Sequence, residues 1–230
     1  TRGYLKEKNE EAYANVFTTH YPDEERSAAR PLKTAPCYDR MKALGAVFGT
    51  VYGWERPNWF MPSADYSLSV EELNQEDSTK VLMNKNHATA LEDGRIVEKN
   101  SFRRSNYFEH VGNECKHVND KVGLLDMSAF AKCVVKGPGA EEWLEYIFAN
   151  KMPKAIGRIS LVHMLSLNGG VRAEFTVYKT GPQSYYLVSA GAFETHDHDY
   201  LFKFAPKDGS VNIQRVTTQT GVLVLAGPRS

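Results

Sequence analysis

From residue 108 onward, apolar and polar positions follow two clean periods, one helical and one alternating. Phe108–Val122 is predicted as a helix, and Gly123-Leu124-Leu125-Asp126 as a short apolar turn or strand. Phe130–Val135 is predicted as a strand that Gly137-Pro138-Gly139 breaks. Ala140–Asn150 then places Trp143, Leu144, Ile147 and Phe148 at helical spacing, with Glu141 and Glu142 in the first turn, where the helix dipole favours acids. Leu161–Leu165 and Val171–Tyr178 flank Asn168-Gly169-Gly170 and predict a hairpin. Tyr185–Ser189, Val211–Val216 and Val222–Ala226 are predicted as strands, with a helix over Ala192–Phe204.

The first hundred residues are less periodic. Residues 1–30 are polar and charged with scattered aromatics, and Ala35–Phe48 predicts a short helix ending near Gly45 or Gly49. Val51–Phe60 is dense in aromatics and interrupted by Gly53 and Pro57, so it is expected to be a packed irregular segment. From Ser63 to Asn100 acidic, amide and lysine residues dominate, which suggests a solvated connection and a boundary near residue 100. A weak echo links Cys133–Gly139 to Val222–Pro228, each a strand followed by Gly-Pro. Proline is favoured just inside a helix start, so the second copy predicts a helix near Arg229, where the sequence stops. The expectation is therefore a truncated domain within a longer protein.

Composition narrows the function classes. The chain has 230 residues with 28 Lys+Arg and 28 Asp+Glu, and this zero formal charge argues against a nucleic-acid binder and gives no support for an anionic-membrane binder. Hydrophobic residues at 42% and charged residues at 24% are ordinary for a globular chain able to bury roughly 70% of its unfolded surface. Cys37, Cys115 and Cys133 are too few and too widely spaced for a disulfide framework or a zinc pattern. They suit a reducing compartment, such as a bacterial cytoplasm or a mitochondrial matrix. No apolar stretch approaches the roughly 20 residues of a membrane span, and no secretory signal opens the chain.

Few residues suggest chemistry. Neighbours in His196-Asp197-His198-Asp199 would point about 100° apart on a helix, so the four cannot converge on one metal ion. Gly137-Pro138-Gly139-Ala140 lacks the spacing and the Lys-Ser/Thr of a phosphate loop and is expected to be a strand-to-helix turn. Glu174 is the stronger candidate. In an alternating strand Val171, Ala173, Phe175 and Val177 share one face, and Arg172, Glu174, Thr176 and Tyr178 the other. That polar face is either solvent-facing or the lining of a cleft in which Glu174 is a positioned acid or base.

The segment His163–Val177 resembles the folate-binding domain of the aminomethyltransferase superfamily, the glycine-cleavage T-proteins. Gly123–Phe130, Tyr185–Ser189 and Gly221–Pro228 agree in order and spacing, so the resemblance covers about residues 102 to 230. Upstream, Tyr21–Arg26, the string Gly53-Trp54-Glu55-Arg56-Pro57-Asn58-Trp59-Phe60 and Phe102–Glu109 resemble the central region of the dimethylglycine and sarcosine dehydrogenase family of flavoproteins. The resemblance implies an α+β fold, an antiparallel sheet with helices, over 102–230. It implies a small irregular FAD-oxidoreductase central segment over 1–101.

The resemblance also implies a reaction for the parent protein. FAD oxidises an N-methyl amine such as dimethylglycine or sarcosine, and tetrahydrofolate captures the one-carbon unit of the iminium as 5,10-methylenetetrahydrofolate. Glu174 matches the position of the family's acidic residue beside the folate nitrogens, where T-proteins typically carry Asp. Phe130, Leu161, Tyr186 and Val188 match positions that would hold the pterin ring by stacking and burial. No GxGxxG fingerprint occurs, so FAD binding belongs to another part of the parent protein, and this chain by itself is not expected to be a competent enzyme. The alternatives are a stand-alone aminomethyltransferase or folate-dependent demethylase, against which residues 1–60 speak, and a non-catalytic regulatory homologue.

Overall fold

The computed structural model describes residues 2–61, 88–90, 96–98, 102–105 and 107–230. The chain divides into two compact units, Thr1–Asp126 with Leu223–Ser230, and Met127–Val222. The fold is α+β, with antiparallel pairing throughout the named strands.

In the first unit, helix α1 (Arg2–Ala14) buries none of its residues, and α2 (Tyr38–Ala43) is shorter than the Ala35–Phe48 segment suggests. The stretch Val51–Phe60, expected to be irregular, is instead half of a hairpin between β1 (Ala46–Val51) and β2 (Trp54–Phe60). The correction has a local cause. Tyr52 and Gly53 both adopt left-handed φ, 51° and 82°, which is what a two-residue hairpin turn matched to strand twist requires. Pro57 is tolerated because the pairing shifts beside it, so Asn58 is bulged out and exposed. Glu55 is only 4% exposed and receives both arms of the Arg30 guanidinium, Nε to Oε1 at 2.9 Å and Nη2 to Oε2 at 2.6 Å. Trp59 stacks on His110 of α3 (Phe108–Asp120), ring centroids 5.5 Å apart. The unit also contains the strand pair β3 (Ala88–Ala90) with β4 (Ile96–Glu98), and β5 (Gly123–Asp126) with the last strand, Leu223–Ala226. The connecting region read from Ser63 to Asn100 otherwise lies outside the described residues.

The second unit is one six-stranded sheet with helices on one face. Its strands are β6 (Ala131–Lys136), β7 (Phe148–Ala149), β8 (Ile159–Leu165), β9 (Val171–Gly181), β10 (Ser184–Ser189) and β11 (Asn212–Arg215), in the order β11-β6-β10-β9-β8-β7. Leu223–Ala226 of the first unit is β12. Helix α4 (Ala140–Ile147) buries Ala140, Trp143, Leu144 and Ile147, one stripe at helical spacing. Against the sheet this stripe meets Val135, Val162, Phe175, Val177, Tyr185 and Leu187, none more than 2% exposed. Helix α5 (Glu194–Phe204) adds Leu201 to the same core. Trp143 Nε1 donates to the Phe204 carbonyl at 2.8 Å. Gly137 turns β6 into α4 at φ 133°, and a Cβ there would collide with the Ser210 carbonyl.

Candidate functional site

The two faces of this sheet are made of alternate residues of the same strands. On β9, Phe175, Val177 and Lys179 are buried, whereas Glu174, Thr176 and Tyr178 point the other way. The register sets their neighbours. On β8, His163 lies opposite Glu174, Leu161 opposite Thr176 and Ile159 opposite Tyr178. On β10, Val188 lies opposite Thr176 and Tyr186 opposite Tyr178. Glu174, Leu161, Tyr186 and Val188, from three adjacent strands, thus share one surface. Phe130 stands just ahead of β6, half-buried, with its N–H donating to the Met127 carbonyl at 3.2 Å.

This surface joins an apolar, aromatic strip to a carboxylate. Leu161 is 49% exposed, while Tyr178, Tyr186 and Val188 are half-buried. The Tyr178 and Tyr186 rings meet edge-on, 6.1 Å apart at 71°. Burial pushes the Tyr186 phenol above its ordinary range, partly offset by a hydrogen bond with Thr220. The Glu174 side chain is 60% exposed, and His163 Nε2 stands 3.5 Å from its Oε2. At that distance the contact is an ion pair only when the His163 ring is protonated. Lys132, opposite Val188, is 2% exposed and its ammonium donates to the Ser128 carbonyl at 2.8 Å. An exposed carboxylate whose oxygens no described residue fills can accept a proton or attract a cation, and the strip can bury a flat ring.

Arg172 does not share this surface, contrary to the simple alternation. The β8–β9 register shifts by one residue, Met164 facing Ala173 but Leu165 facing Val171. Arg172 is the unpaired extra residue of a β-bulge and lies against α5, its guanidinium 4.5 Å from the Tyr200 ring centroid. The same bulge decides that His163 faces Glu174 and not Ala173. Tyr178 is on the face where alternation put it, but His163 and Lys132 were missed in the sequence. Counting outward from the Asn168-Gly169-Gly170 turn brings His163 within one residue of Glu174, but only the bulge completes the count. His196-Asp197-His198-Asp199 lies in α5, where His196 turns to Arg172 and Asp197, and the His198 ring packs at a tilt of 37° against Phe202, ring centroids 4.2 Å apart.

Comparison with known proteins identifies the family and the fold. The GCVT N-terminal domain family matches residues 37–230, and the FAD dependent oxidoreductase central domain family matches residues 1–35. The chain belongs to the GCVT N-terminal domain family. Dimethylglycine dehydrogenase, mitochondrial, of Mus musculus is 33% identical to it over 231 residues, 99% of this chain and 23% of that protein. The pyruvate dehydrogenase phosphatase regulatory subunit, mitochondrial, of Mus musculus is 26% identical over 232 residues, 100% of this chain and 24% of that protein. This GCVT-type chain therefore spans about a quarter of the length of these curated relatives. The crystal structure of glycine cleavage system aminomethyltransferase T from Bartonella henselae shares the fold, with a TM-score of 0.59 at 20% identity over 86% of this chain and 41% of that one.

Proposed function

We propose that this chain is the folate-side portion of a longer FAD- and tetrahydrofolate-dependent dehydrogenase of N-methylated glycines, with Glu174 as its proton acceptor. One observation carries the reading: a carboxylate whose oxygens no described residue fills stands beside a partly exposed apolar strip, on the face of a GCVT-type sheet opposite α4 and α5. The residues present fit a reduced pterin, whose flat ring needs apolar burial and whose ring N–H groups need an acceptor. Leu161, Tyr186 and Val188 would hold the ring, Phe130 would add a further apolar contact from the start of β6, and Glu174 would face its nitrogens. When bound, tetrahydrofolate supplies the nitrogens that take up a one-carbon unit. Glu174 takes the proton a nitrogen releases on forming its new C–N bond, and its negative charge draws in a cationic iminium. His163 at 3.5 Å holds positive charge near Glu174 whenever its ring is protonated.

Glu174→Gln in the full-length protein tests the assignment. Loss of 5,10-methylenetetrahydrofolate formation with dimethylglycine or sarcosine oxidation retained supports it; unchanged folate-dependent product removes the base role. Titration of tetrahydrofolate should show binding to the full-length protein and much weaker binding to the 230-residue chain. The FAD would be held elsewhere in the longer protein, with residues 1–35 as part of its central region and the folate-type domain within 37–230. A mitochondrial matrix or bacterial cytoplasm suits this chemistry. The similarity to a phosphatase regulatory subunit motivates a second reading, a non-catalytic homologue. A full-length protein that oxidises neither dimethylglycine nor sarcosine would favour it.

A further inference from the structure

On the helix-covered side of the second unit, a cleft of about 530 Å³ opens between the β8–β9 turn and α5. We propose that this cleft is a binding site for a small monoanionic carboxylate with an aromatic or apolar body, and that Arg172 grips its carboxylate. The volume falls within the roughly 300–1,000 Å³ of small-molecule sites. The cleft is separate from the Glu174 surface, because α5 packs on the opposite face of the sheet.

Arg172 is held in place from several sides. The bulge turns it out of the strand's alternation and lays its guanidinium over the Tyr200 ring. Tyr200 is itself anchored, its hydroxyl donating to the Leu165 carbonyl at 2.8 Å. Arg172 Nη2 meets His196 Nε2, and His196 Nδ1 lies 3.1 Å from Asp197 Oδ1. Guanidinium nitrogens only donate, so Nε2 accepts and Nδ1 carries the proton toward Asp197. Asp197 is 3% exposed and also receives the Ser189 hydroxyl at 3.1 Å. A buried carboxylate thus orients a histidine, which orients an arginine on the cleft wall. One N–H is used, and most of the five guanidinium donors remain for a ligand. An arginine already fixed in position loses little freedom on binding, and its planar fork matches a carboxylate.

The rest of the lining sets the class of ligand. Lys203 is a second cation. Asp199, the one acid in the lining, is within 3.8 Å of Arg215 and 4.0 Å of His198 through a single oxygen. Arg172 and Lys203 against Asp199 leave one positive charge, which suits one negative charge and leaves a phosphate dianion in excess. Tyr200 and Phe204, ring centroids 4.6 Å apart at 48°, form an aromatic wall for the ligand body.

The test uses phenylacetate as probe and the reaction of phenylglyoxal with Arg172 as readout, followed by mass spectrometry of the Arg172 peptide from the full-length protein. Phenylacetate is expected to slow modification of Arg172 saturably, by about fivefold or more at millimolar concentration, with benzyl alcohol and inorganic phosphate far less effective. Lys203→Gln keeps the arginine and should weaken protection by about threefold or more; Arg172→Gln should remove the matching component of phenylacetate binding in a calorimetric titration. Circular dichroism of each variant confirms the fold. Absence of saturable protection, equal protection by benzyl alcohol, stronger protection by phosphate, or unchanged titration in Arg172→Gln would each overturn the proposal.

Discussion

The two faces of the six-stranded sheet differ although the same strands build both. On the helix-covered face, Val162, Met164, Phe175, Val177, Tyr185 and Leu187 are at most 2% exposed and their partners are α4 and α5. On the open face, one residue along each strand, Leu161 is 49% exposed and the Glu174 side chain 60%. The carboxylates follow the same division. Glu141, on α4 at the covered face, receives Lys179 Nζ at 2.6 Å, the Tyr185 hydroxyl at 2.5 Å and Lys154 Nζ at 2.9 Å. Those donors, Lys179 foremost, hold its carboxyl down at about 2. Glu174 has one imidazole at 3.5 Å. A carboxylate with donors on both oxygens stabilises the fold; one left unfilled beside an apolar strip is available to a ligand.

Substitutions on the two faces should separate those roles. The largest effect is expected for Leu144→Ala, which empties a fully buried position beneath α4 and should cost about 2–5 kcal/mol in denaturant unfolding. A loss below about 1 kcal/mol would mean that α4 is not held as described. Glu141→Gln comes next, at about 1–2 kcal/mol. It leaves Lys179 and Tyr185 without their charged acceptor, but 34% of the Glu141 side chain is exposed, which screens the loss. Its pH dependence has a definite sign. A carboxyl lowered from 4.5 to about 2 in the folded state contributes stability that is full above pH 4.5 and lost as pH falls toward about 2. The gap between wild type and Glu141→Gln should therefore close across that window, and a gap constant down to pH 2 would reject the ionic account.

On the open face the order reverses between stability and function. Leu161→Ser should change stability by no more than about 0.5 kcal/mol yet weaken tetrahydrofolate binding several-fold in the full-length protein. A large stability loss there would show that another part of the molecule already covers this face. Glu174→Gln should have the smallest effect on stability, within about 0.5 kcal/mol, while folate-dependent product falls by about 10²-fold or more. Equal product in Glu174→Gln would make this carboxylate as structural as Glu141.

Much of this was legible before any coordinates. From Phe108 to Ala226 the sequence predicted most of the structure's helices and strands, because the stripe Ala140, Trp143, Leu144, Ile147 and the alternation around Glu174 are local periods of single elements; the exception is Phe148–Ala149, expected to continue α4 but paired with β8 as β7. Glu174, Leu161, Tyr186 and Val188 were singled out by resemblance. Alternation along β9 could say that Glu174 faces away from Phe175, but not whether that side was cleft or solvent. The Val51–Phe60 hairpin escaped detection because Tyr52-Gly53 is a weak signal for a turn that needs left-handed φ at both positions.

The sequence by itself thus determined most of the elements of the second unit and which residues alternate along its longer strands, since both depend on neighbours a few positions away, but not β7, which exists only through its pairing with β8. Only the tertiary structure decided that β11 sits beside β6, that both helices cover one face, that His163 stands opposite Glu174, and that the Arg172 side chain turns to α5. Each of these is a matter of register or sheet order. Both arise between residues distant in sequence, where a shift of one position exchanges the two faces of a strand.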